Sequence, residues 1–168
     1  MFLATTGTAL LGNLAPYMYG TEMPHTVHDR YAGPGADLRK NPFGNHVQVS
    51  GRIYSKSSKN PLPNATVKIW HLSPGSKKHS HHGHLLTNGV GKYSFVTDFP
   101  EKETHKAPCI YFEVSHGKKT YTTQLLMNGF GAYVTGRHWA ENKLSAQKQL
   151  PSFKEKGTLT TIQFYLTL

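Results

Sequence analysis

The residues with most chemical potential lie in "HKAPCIYFEVSHG", residues 105–117. Strand-like alternation places Ile110, Phe112 and Val114 on one face and Cys109, Tyr111 and Glu113 on the other. A thiol, a phenol and a carboxylate then stand in a row, just after Pro108 and Lys106. Such a row is either a metal-binding or catalytic edge, or a wet strand face with an incidental cysteine. A second concentration is "KKHSHHGH", which holds His79, His81, His82 and His84. His79 and His81 have i, i+2 spacing, as do His82 and His84. With a Cys109 thiolate and Tyr111, these imidazoles could bind Cu(II), Zn(II) or Fe(III). The competing reading is a solvated histidine-rich loop that takes up metals adventitiously. Zinc has least support, because no Cys-x-x-Cys or His-x-x-x-His spacing accompanies it.

Other chemistries lack their patterns. No second carboxylate is spaced from Glu113 for paired acid–base work. Nucleophilic Ser/His/Asp catalysis has no elbow motif, and the Gly-rich turns lack a phosphate-binding pattern. Trp70 reads as a core or interface aromatic, and Cys109 alone would read as a small buried hydrophobe.

The elements that must position these residues are strands. The 168 residues support one domain with a substantial core. With 8 Phe, 9 Tyr, 2 Trp, 16 Gly and 10 Pro, the composition suits an all-β chain with many turns. "HVQVSGRIYS" alternates Val47, Val49, Gly51 and Ile53 against polar partners. "ATVKIWH" sets Val67 and Ile69 against Thr66, Lys68 and Trp70. "LSPGSKKHSHHGH" reads as a loop, followed by a turn at Asn88-Gly89 and a strand. Further strands are expected in "CIYFEVSHG", "KKTYTTQLLM" and "TLTTIQFYLTL", with an irregular stretch from Asn128 to about Gly157. "HWAENKLSAQKQL" is the one short helix expected. Six or seven short strands with turn signals between them predict an antiparallel β-sandwich.

Lys and Arg outnumber Asp and Glu by 19 to 9, a net charge of +10 that the 11 His would raise under mild acid. This favours an anionic partner, or a small aromatic or anionic ligand; an oligomer is also compatible. The basic residues are scattered and no nucleic-acid motif accompanies them, which argues against DNA or RNA. One cysteine excludes an internal disulfide. "MFLATTGTALLGNLAP" is too short to span a bilayer, which takes about 20 residues. It looks like the segment just after the paired arginines of a twin-arginine signal, so export to the periplasm is expected. The division is then a truncated signal remnant at residues 1–16, an irregular arm at 17–45 and a β-sandwich at 46–168.

Four runs carry a resemblance: "VSGRIYSKSSKNPLPNATVKIWHLSPG", "TNGVGKYSFVT", "KAPCIYFEVS" and "TYTTQLLMNG". Together they resemble the core of the intradiol ring-cleavage dioxygenases, the protocatechuate and catechol dioxygenases, over about residues 46–130. The closing "IQFYLTL" is like the family's last strand. The resemblance implies a prealbumin-like sandwich holding non-haem Fe(III) on two tyrosinates and two histidines. It also implies an arginine and a glutamine that assist ring opening by O2.

The implied site is mostly replaced. The family's R-P-x-H-I-H-F strand is matched by "KAPCIYF", so Cys109 and Tyr111 stand for the histidines and Lys106 for the arginine. Gln124 matches the glutamine; Lys106 keeps the charge but not the forked geometry. The loops that should supply tyrosines, "HLSPGSKKHSHHGH" and "DFPEKETHKAP", contain none. Three readings are open: a non-catalytic binding homologue, a rebuilt metal site, or a working Fe or Cu oxygenase acting on aromatic compounds. The last needs a tyrosine such as Tyr17, Tyr19 or Tyr31 to enter from the arm.

Overall fold

The computed structural model describes residues 35–168. The strands are β1 (Ala36–Asp37), β2 (His46–Tyr54), β3 (Thr66–His71), β4 (His81–Leu86), β5 (Lys92–Asp98) and β6 (Cys109–His116). They continue as β7 (Lys119–Asn128), β8 (Gly131–Val134), β9 (Ser152–Lys156), β10 (Leu159–Gln163) and β11 (Leu166–Thr167). Two short helices, α1 (Gly136–Glu141) and α2 (Ala146–Gln149), lie between β8 and β9. One sheet runs β1-β5-β2-β10-β9, with β11 also on β2, and the other runs β4-β3-β6-β7-β8.

The expected antiparallel β-sandwich is present, with parallel pairs at β1–β5, β10–β2 and β11–β2. The alternating residues do what alternation demands: Val47, Val49, Ile53, Val67, Ile69, Ile110, Phe112 and Val114 are all buried between the sheets. Phe112 is the centre of an aromatic cluster, edge-on to Tyr93 and Phe164 and tilted against Phe95.

Four expectations are corrected. The histidine-rich segment is not all loop: from His81 it is β4, paired with β3. Its polar-looking sequence hides an alternation in which His81, Gly83 and Leu85 face inward while His82 is exposed. The stretch after Asn128 contains β8 and β9, and the single helix is two short ones separated by a break at residues 142–145. The last strand is split between β10 and β11 at Phe164.

That split depends on a glycine. The Phe164 N–H donates to the Ser50 carbonyl, and the Tyr93 hydroxyl donates to the Phe164 carbonyl at 2.6 Å. The carbonyl lies where a Cβ on Gly51 would stand, 1.7 Å away. Gly83 has a similar role under the arm, because Leu38 packs where its Cβ would project. Residues 1–16 and most of the arm at 17–45 lie outside the described residues; its visible end adds β1 to the sheet edge.

Gly51→Ala is expected to cost at least about 2 kcal/mol by urea denaturation, since a backbone carbonyl must shift. Gly129→Ala, with open space around its Cβ, should be near neutral. Equal stability of the two variants would refute the role given to Gly51.

Candidate functional site

The row from β6 lies on the outer face of the second sheet. Strand register aligns His82, Trp70, Tyr111 and Gln124 across β4, β3, β6 and β7. One step along, His84, Lys68, Glu113 and Thr122 form the next row. Glu113 pairs with Lys68 at 3.2 Å, so this end of the row is a half-exposed strand face with an ordinary ion pair.

The other end is different. Trp70 stacks on Tyr111 with centroids 5.4 Å apart and planes 6° from parallel. The loop between β5 and β6 folds back over the strand and brings Glu103 to the phenol. Tyr111 donates to the Glu103 carboxylate at 2.9 Å, and Lys106 Nζ donates to the Tyr111 oxygen at 2.7 Å. His79 Nε2 donates to the same carboxylate at 2.9 Å, with its ring edge-on to Tyr111. The Cys109 thiol points to it as a weak donor at 3.8 Å. Glu103 is therefore the hub, and sequence reasoning missed it. The family resemblance makes tyrosine the residue of interest in this loop. Its place in the sequence, two residues after Glu101 and six before Cys109, does not single it out.

The electrostatics favour the protonated phenol and thiol and the ionised carboxylate. Burial raises the Tyr111 phenol well above its ordinary value, and Cys109 and the Glu103 carboxylate push the same way. Burial likewise raises the Cys109 thiol, which is 1% exposed. Glu103 moves oppositely: burial pulls it up, but hydrogen bonds from His79 and Tyr111 and the Lys106 charge outweigh that and leave it lowered.

The histidine-rich segment is divided among different surroundings. Only His79 reaches the Tyr111 cluster. His81 turns inward, donating through Nε2 to Asp98 at 2.8 Å, while its Nδ1 meets the Ser73 hydroxyl at 2.6 Å. Asp98 also accepts the Lys40 and Asn41 N–H groups and lies 3.5 Å from His46 Nε2. His71 stacks on His81 and contacts Thr97 and the Leu72 carbonyl. His82 and His84 lie on the outward face of β4, opposite Trp70 and Lys68. Of the six residues expected to ligate metal, His79, Cys109 and Tyr111 come together, and His81, His82 and His84 do not join them.

The donors do not fit a ferric ion of the kind the resemblance implies. The resemblance implies two tyrosinates and two histidines, whereas this edge offers one phenol, one thiol and one imidazole around a carboxylate, with the Lys106 ammonium hydrogen-bonded to the phenol oxygen that would have to ligate. Among the described residues, no group of three or more His, Cys, Asp or Glu is placed to hold a metal ion. Tyr17, Tyr19 and Tyr31 lie outside the described residues.

A recess of about 240 Å³ opens beside the stacked pair, between Trp70, Tyr111, Gln124 and the α1 residues Arg137 and His138. His138 is buried, with Nδ1 on Thr123 at 2.7 Å and Nε2 without a hydrogen-bond partner among the described residues. Gln124, expected from the resemblance, is in this recess, while Lys106 belongs to the Glu103 cluster.

Solved structures resemble the chain closely enough to place its architecture. The dioxygenase domain of a dioxygenase–carbohydrate-binding fusion from Streptomyces sp. SirexAA-E superposes with TM-score 0.60 at 19% identity, covering 86% of this chain and 96% of that one. An intradiol ring-cleavage dioxygenase from Tetranychus urticae gives TM-score 0.60 at 13% identity over 86% and 89% of the two chains. The fold is that of the intradiol ring-cleavage dioxygenases. Hydroxyquinol 1,2-dioxygenase from Pseudomonas putida DLL-E4 matches at TM-score 0.61 and 11% identity; 89% of this chain covers 64% of that longer one. No protein-family model and no curated protein matches the sequence.

Two outcomes are expected from these placements. Glu103→Gln should cost about 1–2 kcal/mol in urea unfolding at neutral pH. Because the folded Glu103 value is lowered, its contribution is complete above the unfolded carboxyl value of about 4.3 and fades as pH falls through the folded one. A gap to wild type that persists unchanged near pH 3 would remove the carboxylate charge from the account. Separately, burial lowers His71 from 6.5 to about 4, offset in part by the Leu72 carbonyl, and burial lowers His81 against the pull of Asp98. Neutral buried histidines stabilise above their unfolded value, so the thermal midpoint should drop as pH falls from about 6.5 to 4. A flat profile across that window would contradict it.

Proposed function

We propose that this chain is an exported, non-catalytic homologue of the intradiol dioxygenases that binds a small aromatic acid beside Tyr111. The observation that carries this reading is the closed hydrogen-bond set around Glu103, in which Tyr111, Cys109, His79 and Lys106 satisfy one another. Groups committed in this way are poor metal donors but a rigid wall. The Trp70–Tyr111 stack offers a flat aromatic surface, and Arg137 stands at the rim of the recess with its side chain 79% exposed. A ring could lie against the aromatic pair while its carboxylate meets the guanidinium, with Gln124 hydrogen-bonding a substituent. Export rests on the apolar run within residues 1–16.

One observation favours the alternative, a metal-dependent Fe or Cu dioxygenase acting on aromatic compounds. His79, Cys109 and Tyr111 do converge on one carboxylate. For them to ligate, Lys106 would have to withdraw and the phenol and thiol would have to ionise.

The deciding experiment is to express the untagged protein in iron-replete medium. Iron content, visible spectrum and O2 uptake with catechol are then measured alongside titration with 3,4-dihydroxybenzoate. Expected are substoichiometric iron, no tyrosinate-to-iron band and no O2 uptake. The ligand should quench tryptophan fluorescence saturably, and Trp70→Leu should weaken binding about tenfold, ~1.4 kcal/mol. Stoichiometric iron with a tyrosinate band and O2 uptake would overturn the proposal and establish the alternative.

A further inference from the structure

The opposite face of the sandwich carries a second, unrelated concavity. A cavity of about 450 Å³ opens on the outer face of the β2–β5–β10 sheet, and its lining includes Arg52, Lys92 and Lys148 but no Asp or Glu. Strand register puts Arg52 directly opposite Lys92 in the antiparallel β2–β5 pair. Like charges directly opposite each other destabilise a sheet unless something between them supplies negative charge. Among the described residues neither cation has an ion-pair partner, and neither does Lys148 on α2, whereas Lys68, Lys106, Arg39 and Arg137 all have one.

The Arg52 guanidinium is also incompletely used. Its Nε is buried and has no hydrogen-bond partner among the described residues. A buried N–H left unpaired in a native fold points to a missing acceptor. The guanidinium carbon lies 6.0 Å from the Tyr54 ring centre, and Lys148 Nζ lies 5.2 Å from the same ring and 3.4 Å from its hydroxyl. Tyr54 thus gathers two cations toward one point, and Tyr165 forms the neighbouring aromatic wall at a centroid distance of 6.5 Å. Ser50 and Ser94, paired across the strands next to the Arg52–Lys92 pair, add hydroxyl donors.

We infer that this cavity is a binding site for a phosphate- or sulfate-class oxyanion carried on a small ring-bearing molecule. Three cations with no carboxylate among them match a doubly charged head group, and a forked guanidinium suits its oxygens. The tyrosine walls and the volume leave room for one ring, within the size range of small-molecule sites. The site shares no residue with the Tyr111 recess, so it stands whether or not that recess binds an aromatic acid.

The test is calorimetric titration of the full chain with phenyl phosphate, inorganic phosphate and neutral phenyl glucoside, at two salt concentrations. In the Trp70→Leu background, which impairs the Tyr111 recess, phenyl phosphate is expected to bind saturably at one site, more weakly at high salt, and at least tenfold more weakly once Arg52→Gln or Lys148→Gln is added. Lys119→Gln, an exposed lysine of β7 that lines neither this cavity nor the Tyr111 recess, should leave binding unchanged, and circular dichroism will report whether each variant is folded. Binding by inorganic phosphate as tight as by phenyl phosphate would overturn the ring-bearing part of the assignment. No saturable binding of phenyl phosphate, equal binding of the neutral glucoside, or retention of affinity in both folded variants would overturn the site itself.

Discussion

The buried Asp98 carboxylate is the constraint on which much else depends. It is 2% exposed and accepts hydrogen bonds from the His81 ring of one sheet and two backbone N–H groups of the arm, with His46 of the other sheet beside it. A carboxylate in such surroundings is tolerable only if every strong acceptor position is met, and losing one partner leaves an uncompensated charge. The contact therefore joins both sheets and the arm at one point. It also determines what the histidine-rich segment can do. Once His81 is turned inward, strand alternation sends His82 and His84 to the opposite face, and the four histidines cannot act as one ligand set.

Glu103 applies the same logic in a half-exposed setting. This chain has 9 acidic groups for 19 basic ones, so the location of each carboxylate decides which cations are neutralised locally. Glu113 takes Lys68, Asp37 takes Arg39, Glu141 takes Arg137, and Glu103 takes both His79 and Lys106. The excess is thus not spread evenly. Among the described residues it is left where no carboxylate reaches, and the walls of the Arg52 cavity are such a place.

Legibility from the sequence tracks the range of the interactions. The alternation of Val47, Val49 and Ile53, and of Ile110, Phe112 and Val114, identifies core faces because burial there is decided by neighbours two residues away. The β4 strand is hidden because its inward positions are His81, Gly83 and Leu85, and only the last is an apolar side chain large enough to register as core. The break between β10 and β11 is equally hidden, since it rests on Gly51, over a hundred residues earlier in the chain. At the candidate site, the Cys109–Tyr111 edge and Gln124 can be located from strand phase and motif, whereas Glu103 cannot. Its reach depends on how a loop folds back, which no periodicity encodes. The Arg52 cavity draws on residues from β2, β5, α2 and β10, and its charge is visible only once register brings them together.

The hydrogen bonds of Tyr111 set this edge apart from the tyrosinate site that the resemblance implies. Phenol and thiol are both ligands in principle, but each must lose a proton first. At this edge burial and a shared carboxylate oppose that loss, and the one cation close enough to favour it is already inside the hydrogen-bond set. A metal ion would have to displace the Lys106 ammonium, take His79 from Glu103 and ionise a buried thiol and a half-buried phenol. The cost of those steps sets the threshold that any metal affinity must exceed. The same bonds that raise this threshold hold the Tyr111 ring parallel to Trp70, so an edge that discourages ligation is a well-ordered surface for stacking. The fold supplies the strand and its direction; the carboxylate on the overlying loop decides which chemistry the strand presents.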